Sequence, residues 1–308
     1  MTRTLCAGFD LGGTQLKYGL VDENGTVVFK DKAPTPGAIE GLLELLGSIW
    51  ADMKSRAGAP VAAAGFGFPG IHSLKDGRVL QSPNYPGLDD FDLPPALARI
   101  IDAPHWVNND ANLAAYGEWA AGAGRGTRSL VLLTIGTGIG SGIILDGDIW
   151  MGACGFAGEL GHVVVNPEGE VCNCGVRGCL ETETSAPRII SRYQAFSGRT
   201  EAVTAEEVYL RAKAGDSDAR QSFAQAGYYL GIGLGIVINF LNPEKILLGG
   251  GVMTTGEFLM NPAVAEARRR CFKASFACCS IEKAVLGNDA GLVGAALWAR
   301  SRLAKIAP

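Results

Sequence analysis

The amino-acid sequence predicts an α/β fold made of two halves that share one plan. A chain of 308 residues is long enough for two domains of ordinary size with a large shared core. A strand, a glycine turn and a second strand follow one another twice, in residues 4–28 and again in residues 130–149. Segments with helix and strand patterns then follow one another along the chain, an order typical of layered α/β proteins.

The two copies of the hairpin share a glycine-rich loop. The first reads LCAGFD, GGT and LKYGLVD, and Glu23-Asn24-Gly25 closes a further hairpin. In an ungapped alignment, Asp10-Leu11-Gly12-Gly13-Thr14 pairs with Thr134-Ile135-Gly136-Thr137-Gly138. Backbone N–H groups approach a ligand closely only where no side chain intervenes, so the pair of loops predicts a site that holds a polyphosphate from both sides.

The first loop also carries groups suited to a metal ion and to phosphate. It offers a carboxylate for Mg²⁺ or its waters, glycine amides and a hydroxyl for phosphate oxygens, and a nearby lysine: Asp10, Gly12, Gly13, Thr14 and Lys17. A glycine turn in an ordinary β-hairpin has a similar sequence. The second loop, with Gly136, Thr137 and Gly138, is what favours nucleotide binding.

Several further elements follow the first hairpin. A helix pattern covers residues 39–53, and a strand, VAAAGFGFPG, leads to the proline-rich loop SPNYPGLDDFDLPP. Asp110 then stands just before an alanine-rich amphipathic run, where a helix begins. Flanked by Asn109 and Asn112, its carboxylate suits a hydroxylated substrate whose proton it accepts, but a simple helix cap is equally compatible with the pattern. Residues 122–126 have the composition of a linker.

The second half becomes mainly helical beyond residue 181. Helices are expected over residues 205–214 and 217–241, followed by the buried strand KILLGGGV and the final helix GLVGAALWARSRLAK. The cluster Gly249-Gly250-Gly251 ends its strand where open α/β sheets place ligands, although a strand-end turn explains it too. The apolar run over residues 230–241 is shorter than a bilayer span, so we expect a core helix and no membrane association.

Composition narrows the classes of partner and the compartment. The net charge is -4 and no Lys/Arg block of the kind that forms a nucleic-acid footprint occurs, so no nucleic acid is expected as a partner. The opening MTRTLCAGFD lacks the features of a secretory signal, which predicts a cytoplasmic protein. Eight cysteines fit that compartment if three hold zinc and five stay reduced. Adjacent Cys278 and Cys279 are interpreted as small buried hydrophobes more readily than as a redox pair.

One stretch, GELGHVVVNPEGEVCNCGVRGCLE, has the ligands of a zinc site. His162, Cys172, Cys174 and Cys179 supply one imidazole and three thiols, enough for a closed tetrahedral site that staples the loop. Reduced, unligated cysteines in a turn are the alternative.

Glu159 and Glu181 stand at the two ends of this stretch, with His162 one helical turn after Glu159. Two carboxylates and an imidazole offer several hydrogen bonds to neighbouring hydroxyls, as a sugar requires and an apolar ligand does not. Alternatively, both glutamates are solvated or only support the zinc ligands.

The ordered motifs DLGGTQLKYG, NNDAN, TIGTGIGSGIILDG, GACGFAGELGH, CNCGVRGCLE and LGGGV resemble the ROK family of sugar kinases and sugar-responsive repressors, and the resemblance runs almost end to end. It implies the two-lobed actin/hexokinase-like ATPase fold, with duplicated ribonuclease H-like domains, a zinc-stapled loop and an active site in the interlobe cleft. The lobes would be residues 1–122 joined by the C-terminal helix 290–308, and residues 123–289. A homo-oligomer, either a dimer or a tetramer, is also implied.

The resemblance also assigns roles to residues. Asp110 would be the catalytic base, and the hexose would contact Asn84, Asn109, Asp110, Glu159, His162 and Glu181. His162 would bind both zinc and a sugar hydroxyl. The phosphate loops would use Gly12, Gly13, Thr14, Gly136, Thr137 and Gly138, with Asp10 on the magnesium side, and the nucleotide pocket would include Gly250 and Gly251. Ser141, Asn108 and Cys154 depart from the usual pattern without removing a catalytic group.

We therefore expect an enzyme that transfers the γ-phosphoryl group of ATP to a hexose hydroxyl, with Mg²⁺ bridging the phosphates. The segment SPNYPG resembles a loop of glucokinase-like members, so glucose O6 is the expected acceptor. N-acetylmannosamine, N-acetylglucosamine, fructose, mannose and allose stay open, because pocket shape decides between such sugars. A non-catalytic sugar-sensing regulator is the other alternative, but only nine residues precede Asp10, too few for a helix-turn-helix module.

Overall fold

The computed structural model describes residues 4–82 and 85–306. The chain divides into two compact units. The first contains the chain up to Arg128, Gly142–Gly158 and the chain from Val285 onward, and the second contains Ser129–Ser141 and Glu159–Ala284. Each unit draws on separate stretches of sequence, so its core depends on contacts between residues that are distant along the chain.

The first five-stranded sheet has the order β3-β2-β1-β4-β7. β1 is antiparallel to β2 and parallel to β4, and β4 is parallel to β7. Helix α1 buries apolar residues at helical spacing, including Leu42, Leu46 and Met53, in the core of this unit. The elements are β1 Leu5–Leu11, β2 Gln15–Val21, β3 Val27–Pro34, α1 Ile39–Arg56, β4 Val61–Phe68, β5 Ile71–His72, β6 Val79–Gln81, α2 Leu93–Ala98, β7 His105–Asn109 and α3 Asp110–Ala121.

The second five-stranded sheet has the order β10-β9-β8-β11-β12. In this order β8 takes the place of β1 and β9 that of β2, with a parallel strand next to β1 and to β8. The predicted α/β class and the duplicated plan are therefore confirmed. The remaining elements in chain order are β8 Ser129–Ile135, β9 Ile139–Leu145, β10 Asp148–Ile149, α4 Leu180–Thr184, α5 Ala186–Ser197, α6 Ala205–Lys213, α7 Ser217–Leu241, β11 Lys245–Gly249, α8 Glu257–Arg270, α9 Lys273–Ala277, β12 Ser280–Lys283 and α10 Ala290–Ile306, of which α10 belongs to the first unit.

Helix α7 packs its glycines against α8. A β-carbon at Gly227 would lie 2.7 Å from the carbonyl oxygen of Leu259, and one at Gly231 would lie 2.6 Å from that of Ala263. By length and composition α7 is apolar enough to cross a membrane, and half of its most apolar stretch is buried inside the fold. Core helices of globular proteins share this composition, and close packing through the glycine face agrees with that role.

The C-terminal helix α10 lies on the first sheet at very short range. A β-carbon at Gly8 of β1 would overlap the carbonyl oxygen of Leu292, and one at Gly65 of β4 would overlap that of Ala295. Glycine is therefore required at both positions, because any side chain would push the helix off the sheet. This contact fixes the last helix to the strand that leads into the first glycine loop.

We predict that Gly8→Ala destabilises the protein by about 1–3 kcal/mol or more, because the added methyl group overpacks a buried contact between two backbones. Chemical denaturation followed by circular dichroism measures the change. Gly37→Ala is the matched control, since nothing lies within 4 Å of a β-carbon at Gly37. An equal midpoint for the Gly8 and Gly37 variants would contradict the close contact.

Candidate active site and metal centre

The first glycine loop joins β1 to β2 and exposes its backbone. Asp10 pairs with Lys17 in the strand register, and the Gly12 N–H donates to the Gln15 carbonyl at 2.9 Å. The Thr35 hydroxyl donates to the Gly12 carbonyl at 2.7 Å, and the Thr35 N–H donates to that of Thr14 at 3.0 Å. Thr35, directly after β3, thus fixes the loop from behind, while Gly13 and Thr14 stay exposed at its tip.

Asp10 is a largely buried carboxylate behind this loop. Its side chain is 16% exposed, and its Oδ2 lies 3.5 Å from Lys17 Nζ. Burial raises the pKa of Asp10, and the positive charge of Lys17 opposes the shift. The carboxylate fits against the first turn of α10 because residue 291 is glycine, where a β-carbon would lie 2.6 Å from Asp10 Cγ. A carboxylate oxygen set like this matches the ligand preference of Mg²⁺.

Asp110 is the first residue of α3 and follows β7 directly. The cap of this helix is Asn109, whose Oδ1 accepts from the N–H groups of Ala111 at 2.9 Å and Asn112 at 3.1 Å. Asn109 also donates through Nδ2 to the Gly70 carbonyl at 3.1 Å, and Asp110 Oδ1 accepts from the Ala111 N–H at 2.9 Å. The capping role considered for Asp110 therefore belongs mainly to Asn109.

Asn108 supports this turn from inside the fold. It is buried, and its Oδ1 accepts from the Asn109 N–H at 2.8 Å and from Asn112 Nδ2 at 3.2 Å. Sequence reasoning noted Asn108 only as a departure from a pattern and missed this role. A buried amide that bonds its neighbours along the chain explains how the geometry around Asp110 is fixed.

The second glycine loop is bonded to Glu181. The Gly136 N–H donates to the Gly138 carbonyl at 2.9 Å, and the Ile139 N–H donates to Glu181 Oε2 at 2.8 Å. A β-carbon at Gly138 would overlap the same carboxylate oxygen. A predicted sugar contact and a predicted phosphate loop are thus joined directly within the second unit.

The third glycine cluster lies beside the second loop. Gly249 at the end of β11 pairs with Thr134 of the parallel strand β8. Gly250 has a φ of 87°, and a β-carbon there would overlap the backbone of Ile135, so glycine is required. Gly251 is exposed and begins a short 3₁₀ helix. The predicted nucleotide residues Gly250 and Gly251 therefore lie next to the strand that ends in the second loop.

The four predicted metal ligands come together. The ligand atoms of His162, Cys172, Cys174 and Cys179 all lie within 4.8 Å of one another. His162 Nδ1 is 3.5 Å from Cys172 Sγ, and Cys174 Sγ is 3.6 Å from Cys179 Sγ. A tetrahedral zinc ion with Zn–S bonds of about 2.3 Å and a Zn–N bond of about 2.0 Å would place its ligands roughly 3.5–3.8 Å apart. Two ligand pairs already have this spacing, and the longer separations, up to 4.8 Å, need only a small contraction to hold such an ion.

Two thiols of this cluster hold their protons more tightly than an ordinary cysteine. Burial, and then the hydrogen bond with Cys174, raise the pKa of Cys179 to about 12. Burial also raises the pKa of Cys172. A metal ion that binds here has to displace these protons, so its binding would weaken as the pH falls.

Glu159 and His162 flank one turn of 3₁₀ helix. Glu159 Oε2 lies 4.0 Å from His162 Nε2, while His162 Nδ1 faces Cys172. Burial raises the pKa of Glu159, the His162 charge opposes the shift, and the nearby Glu181 charge adds to it. Glu181 Oε1 in turn lies 3.8 Å from Cys172 Sγ. Both glutamates thus lie beside ligands of the metal cluster, Glu159 beside His162 and Glu181 beside Cys172.

The structure divides the predicted residues between its units. The first unit holds Asp10, Gly12, Gly13, Thr14, Lys17, Asn109 and Asp110, and the second holds the remaining described ones. Asn84 lies outside the described residues.

Comparisons with known proteins identify relatives of this chain. The ROK family profile matches residues 6–302. A glucokinase of Halalkalibacterium halodurans is 36% identical over 307 residues, which cover 93% of this chain and 92% of that protein. An N-acetylmannosamine kinase of Haemophilus influenzae is 31% identical over 302 residues, covering 97% of this chain and 96% of that protein.

Two solved structures resemble the fold closely. A ROK hexokinase from Thermus thermophilus has a TM-score of 0.87 and 33% identity, covering 98% of this chain and 100% of that one. A ROK family glucokinase from Streptomyces griseus, in complex with glucose and AMPPNP, has a TM-score of 0.82 and 32% identity, covering 96% of this chain and 99% of that one.

We predict that Asn109→Ala lowers stability by about 0.5–2 kcal/mol, because α3 loses the side chain that caps two of its N–H groups. Asn109→Ser should recover most of the loss, since serine caps helices well. Denaturation midpoints of the two variants measure the difference. Equal losses in both would show that the amide is needed for something other than the cap, such as its bond to the Gly70 carbonyl.

Proposed function

The chain belongs to the ROK family and is an ATP-dependent sugar kinase, and we propose that it phosphorylates glucose at O6, giving glucose 6-phosphate. The observation that carries the proposal is the Glu181 carboxylate, which bonds the second glycine loop and lies beside the metal cluster. Sugar-binding and phosphate-binding groups are coupled there. The glucokinases among the relatives favour glucose, whereas the N-acetylmannosamine kinase supports another hexose as the second candidate.

Asp110 is proposed as the general base that accepts the proton of the attacking hydroxyl. Phosphoryl transfer passes through a loose transition state, so positioning of the hydroxyl and neutralisation of charge matter more than strong activation. The cap and the buried amide of Asn108 fix the backbone at Asp110 before substrate binds. Little reorganisation is then needed at the moment of reaction.

The hexose is proposed to contact Asn84, Asn109, Glu159, His162 and Glu181 in addition to Asp110. The bonds within the protein limit what Asn109 can offer. Its Oδ1 already accepts two N–H groups and its Nδ2 already donates to Gly70, so its second Nδ2 hydrogen is the group left for a sugar hydroxyl. Glu159 and Glu181 supply acceptors, which suits the donor hydroxyls of a sugar.

ATP is proposed to bind through both glycine loops, with Gly250 and Gly251 beside the second. Mg²⁺ would be held on the side of Asp10, whose burial near a single lysine fits an added cation. When bound, Mg²⁺ neutralises charge on the transferring phosphoryl group. Gly13, Thr14 and Lys17 supply donors for phosphate oxygens, and Gly12, whose N–H donates to the Gln15 carbonyl, shapes the turn beside them.

Zn²⁺ is the proposed structural ion of the cluster formed by His162 and the three cysteines. The spacing of the ligand atoms, near that of a tetrahedral zinc site, supports this choice. The ion would hold the imidazole and the start of α4 together. Loss of zinc is therefore expected to weaken both hexose binding and folding.

We further propose a cytoplasmic homo-oligomer, a dimer or a tetramer, that binds no nucleic acid. The net charge of -4 argues against a nucleic-acid partner. Phe240 and Phe272, 85% and 78% exposed, provide apolar surface of the kind that subunit contacts bury.

A panel of hexoses with ATP and Mg²⁺ tests the substrate. We expect glucose to give the highest kcat/KM in a coupled assay for ADP. A preference for N-acetylmannosamine or fructose would overturn the choice of sugar and leave the sugar kinase in place.

We predict that Asp110→Asn lowers kcat by about 10²–10⁴-fold, the usual contribution of a positioned base, while KM for the hexose changes little. Steady-state kinetics over sugar concentration separates the two quantities. Asp218→Asn, which changes a first-turn carboxylate of helix α7, is the matched control. Near-normal turnover of the Asp110 variant would remove this residue from the proposed role.

We predict about one zinc per chain, and a melting temperature that falls by roughly 5 °C or more after chelation, because metal binding contributes directly to folding free energy. Mass spectrometry of the metal content and differential scanning fluorimetry measure this. Cys179→Ser should lose the ion, whereas Cys278→Ser, which changes an exposed cysteine outside the cluster, should keep it. Equal metal content in both variants would contradict the assignment.

A further inference from the structure

A buried ion pair lies behind the metal cluster, among residues with no role in the proposed reaction. Glu183 and Arg192 are 1% and 5% exposed, and Arg192 Nη2 donates to Glu183 Oε2 at 2.9 Å. Both terminal nitrogens of Arg192 also donate to the backbone carbonyl of Glu183 at 3.2 Å. The guanidinium thus binds both the side chain and the backbone carbonyl of Glu183 in α4.

The other oxygen of Glu183 reaches the loop that carries the cysteines. Asn166 Nδ2 donates to Glu183 Oε1 at 2.8 Å. The backbone of Asn166 is hydrogen-bonded to the same loop. Its N–H donates to the Gly178 carbonyl at 3.1 Å, and its carbonyl accepts from the Gly169 N–H at 2.8 Å. A β-carbon at Gly169 would lie 2.5 Å from Glu183 Oε1, so the loop backbone closes directly over the carboxylate.

Helix α4 depends on contacts with the rest of the fold for its position. It spans five residues, Leu180–Thr184, and short helices draw their stability from tertiary contacts. Its N-terminal side carries Cys179 and Glu181, which adjoin the metal cluster and the second glycine loop. Its C-terminal side carries Glu183. Any shift or rotation of the helix at Glu183 would move Glu181 by a similar amount, because only two residues separate them.

Stability alone is a weak reason for this arrangement. Burying a carboxylate and a guanidinium removes both from water, and a well-packed apolar pair of similar volume is often as stable or more stable. An apolar pair lacks the directional bonds to Asn166 and to the α4 backbone, however. The feature that the ion pair adds is therefore a fixed orientation.

We propose that Glu183, Arg192 and Asn166 form a positioning clamp that sets the orientation of α4, and through it the placement of Cys179 for the metal ion and of Glu181 for the hexose. The proposal rests on the proposed function for the role of Glu181. None of the three clamp residues touches substrate, and they act through α4.

The test replaces the ion pair by an apolar pair, Glu183→Met with Arg192→Met. We expect only a modest fall in melting temperature, because the buried charges are removed together, while Asn166 Nδ2 and the carbonyl of residue 183 lose a partner. We also expect chelator-induced zinc release to be about 10-fold faster or more, by analogy with the 10–100-fold effects of groups that orient metal ligands. KM for the hexose should rise roughly 10-fold with a smaller change in kcat, as loss of ground-state binding requires.

Asn166→Leu, which leaves the ion pair in place, should move zinc release and KM in the same direction and covers the case in which the double variant does not fold. Glu201→Gln is the control, because it breaks an ion pair with Arg211 whose glutamate is half exposed. A folded double variant with the zinc release or the KM of the unsubstituted protein would overturn the clamp. If the unsubstituted protein phosphorylates no hexose, the proposed function fails, and zinc release alone decides the clamp.

Discussion

Close approach of backbone to backbone, possible only where a side chain is missing, is the constraint on which both units depend. In the first unit, Gly8 and Gly65 let helix α10 lie directly on β1 and β4. Gly291 then leaves room for the Asp10 carboxylate against the start of that helix. In the second unit, Gly138 leaves room for the Glu181 carboxylate, and Gly250 leaves room for the backbone at the end of β8. Of these glycines, Gly138 and Gly250 also belong to the segments that are proposed to bind the nucleotide.

Duplication of one hairpin has produced two loops with different chemistry. The strand orders of the two sheets correspond position by position, but Thr134 stands in the second copy where Asp10 stands in the first. The first loop therefore combines a carboxylate and a lysine, whereas the second offers backbone groups and is tied to a carboxylate from elsewhere, Glu181. The first loop is therefore suited to a metal ion bound to the phosphates. The second loop is suited to phosphate and, through Glu181, to the sugar beside it.

Much of this organisation could be predicted from the sequence, because it depends on local patterns. Alternating strands, glycine turns and the Cys-x-Cys spacing each involve residues close along the chain, and the α/β class, the duplicated hairpins and the metal cluster were all predicted from them. Other features depend on tertiary contacts. The bonds from Thr35 to the first loop and from Arg192 to Glu183 leave no periodic trace. The cap of α3 falls on Asn109 and not on Asp110, a difference of one residue that propensity does not resolve.

Asp10 beside the first glycine loop and Glu159 beside the metal cluster are carboxylates whose pKa the fold raises. Burial raises the pKa of Asp10, and partial burial raises that of Glu159, whose side chain is half exposed. Between the ordinary and the raised pKa, the folded chain therefore binds more protons than the unfolded chain, mainly at Asp10. Its stability therefore falls as the pH rises through that window. A cation beside Asp10, or hydroxyl donors beside Glu159, would stabilise the charged forms and recover that free energy as binding energy. The energetic cost of burying the Asp10 carboxylate thus favours the cation that the site is proposed to take.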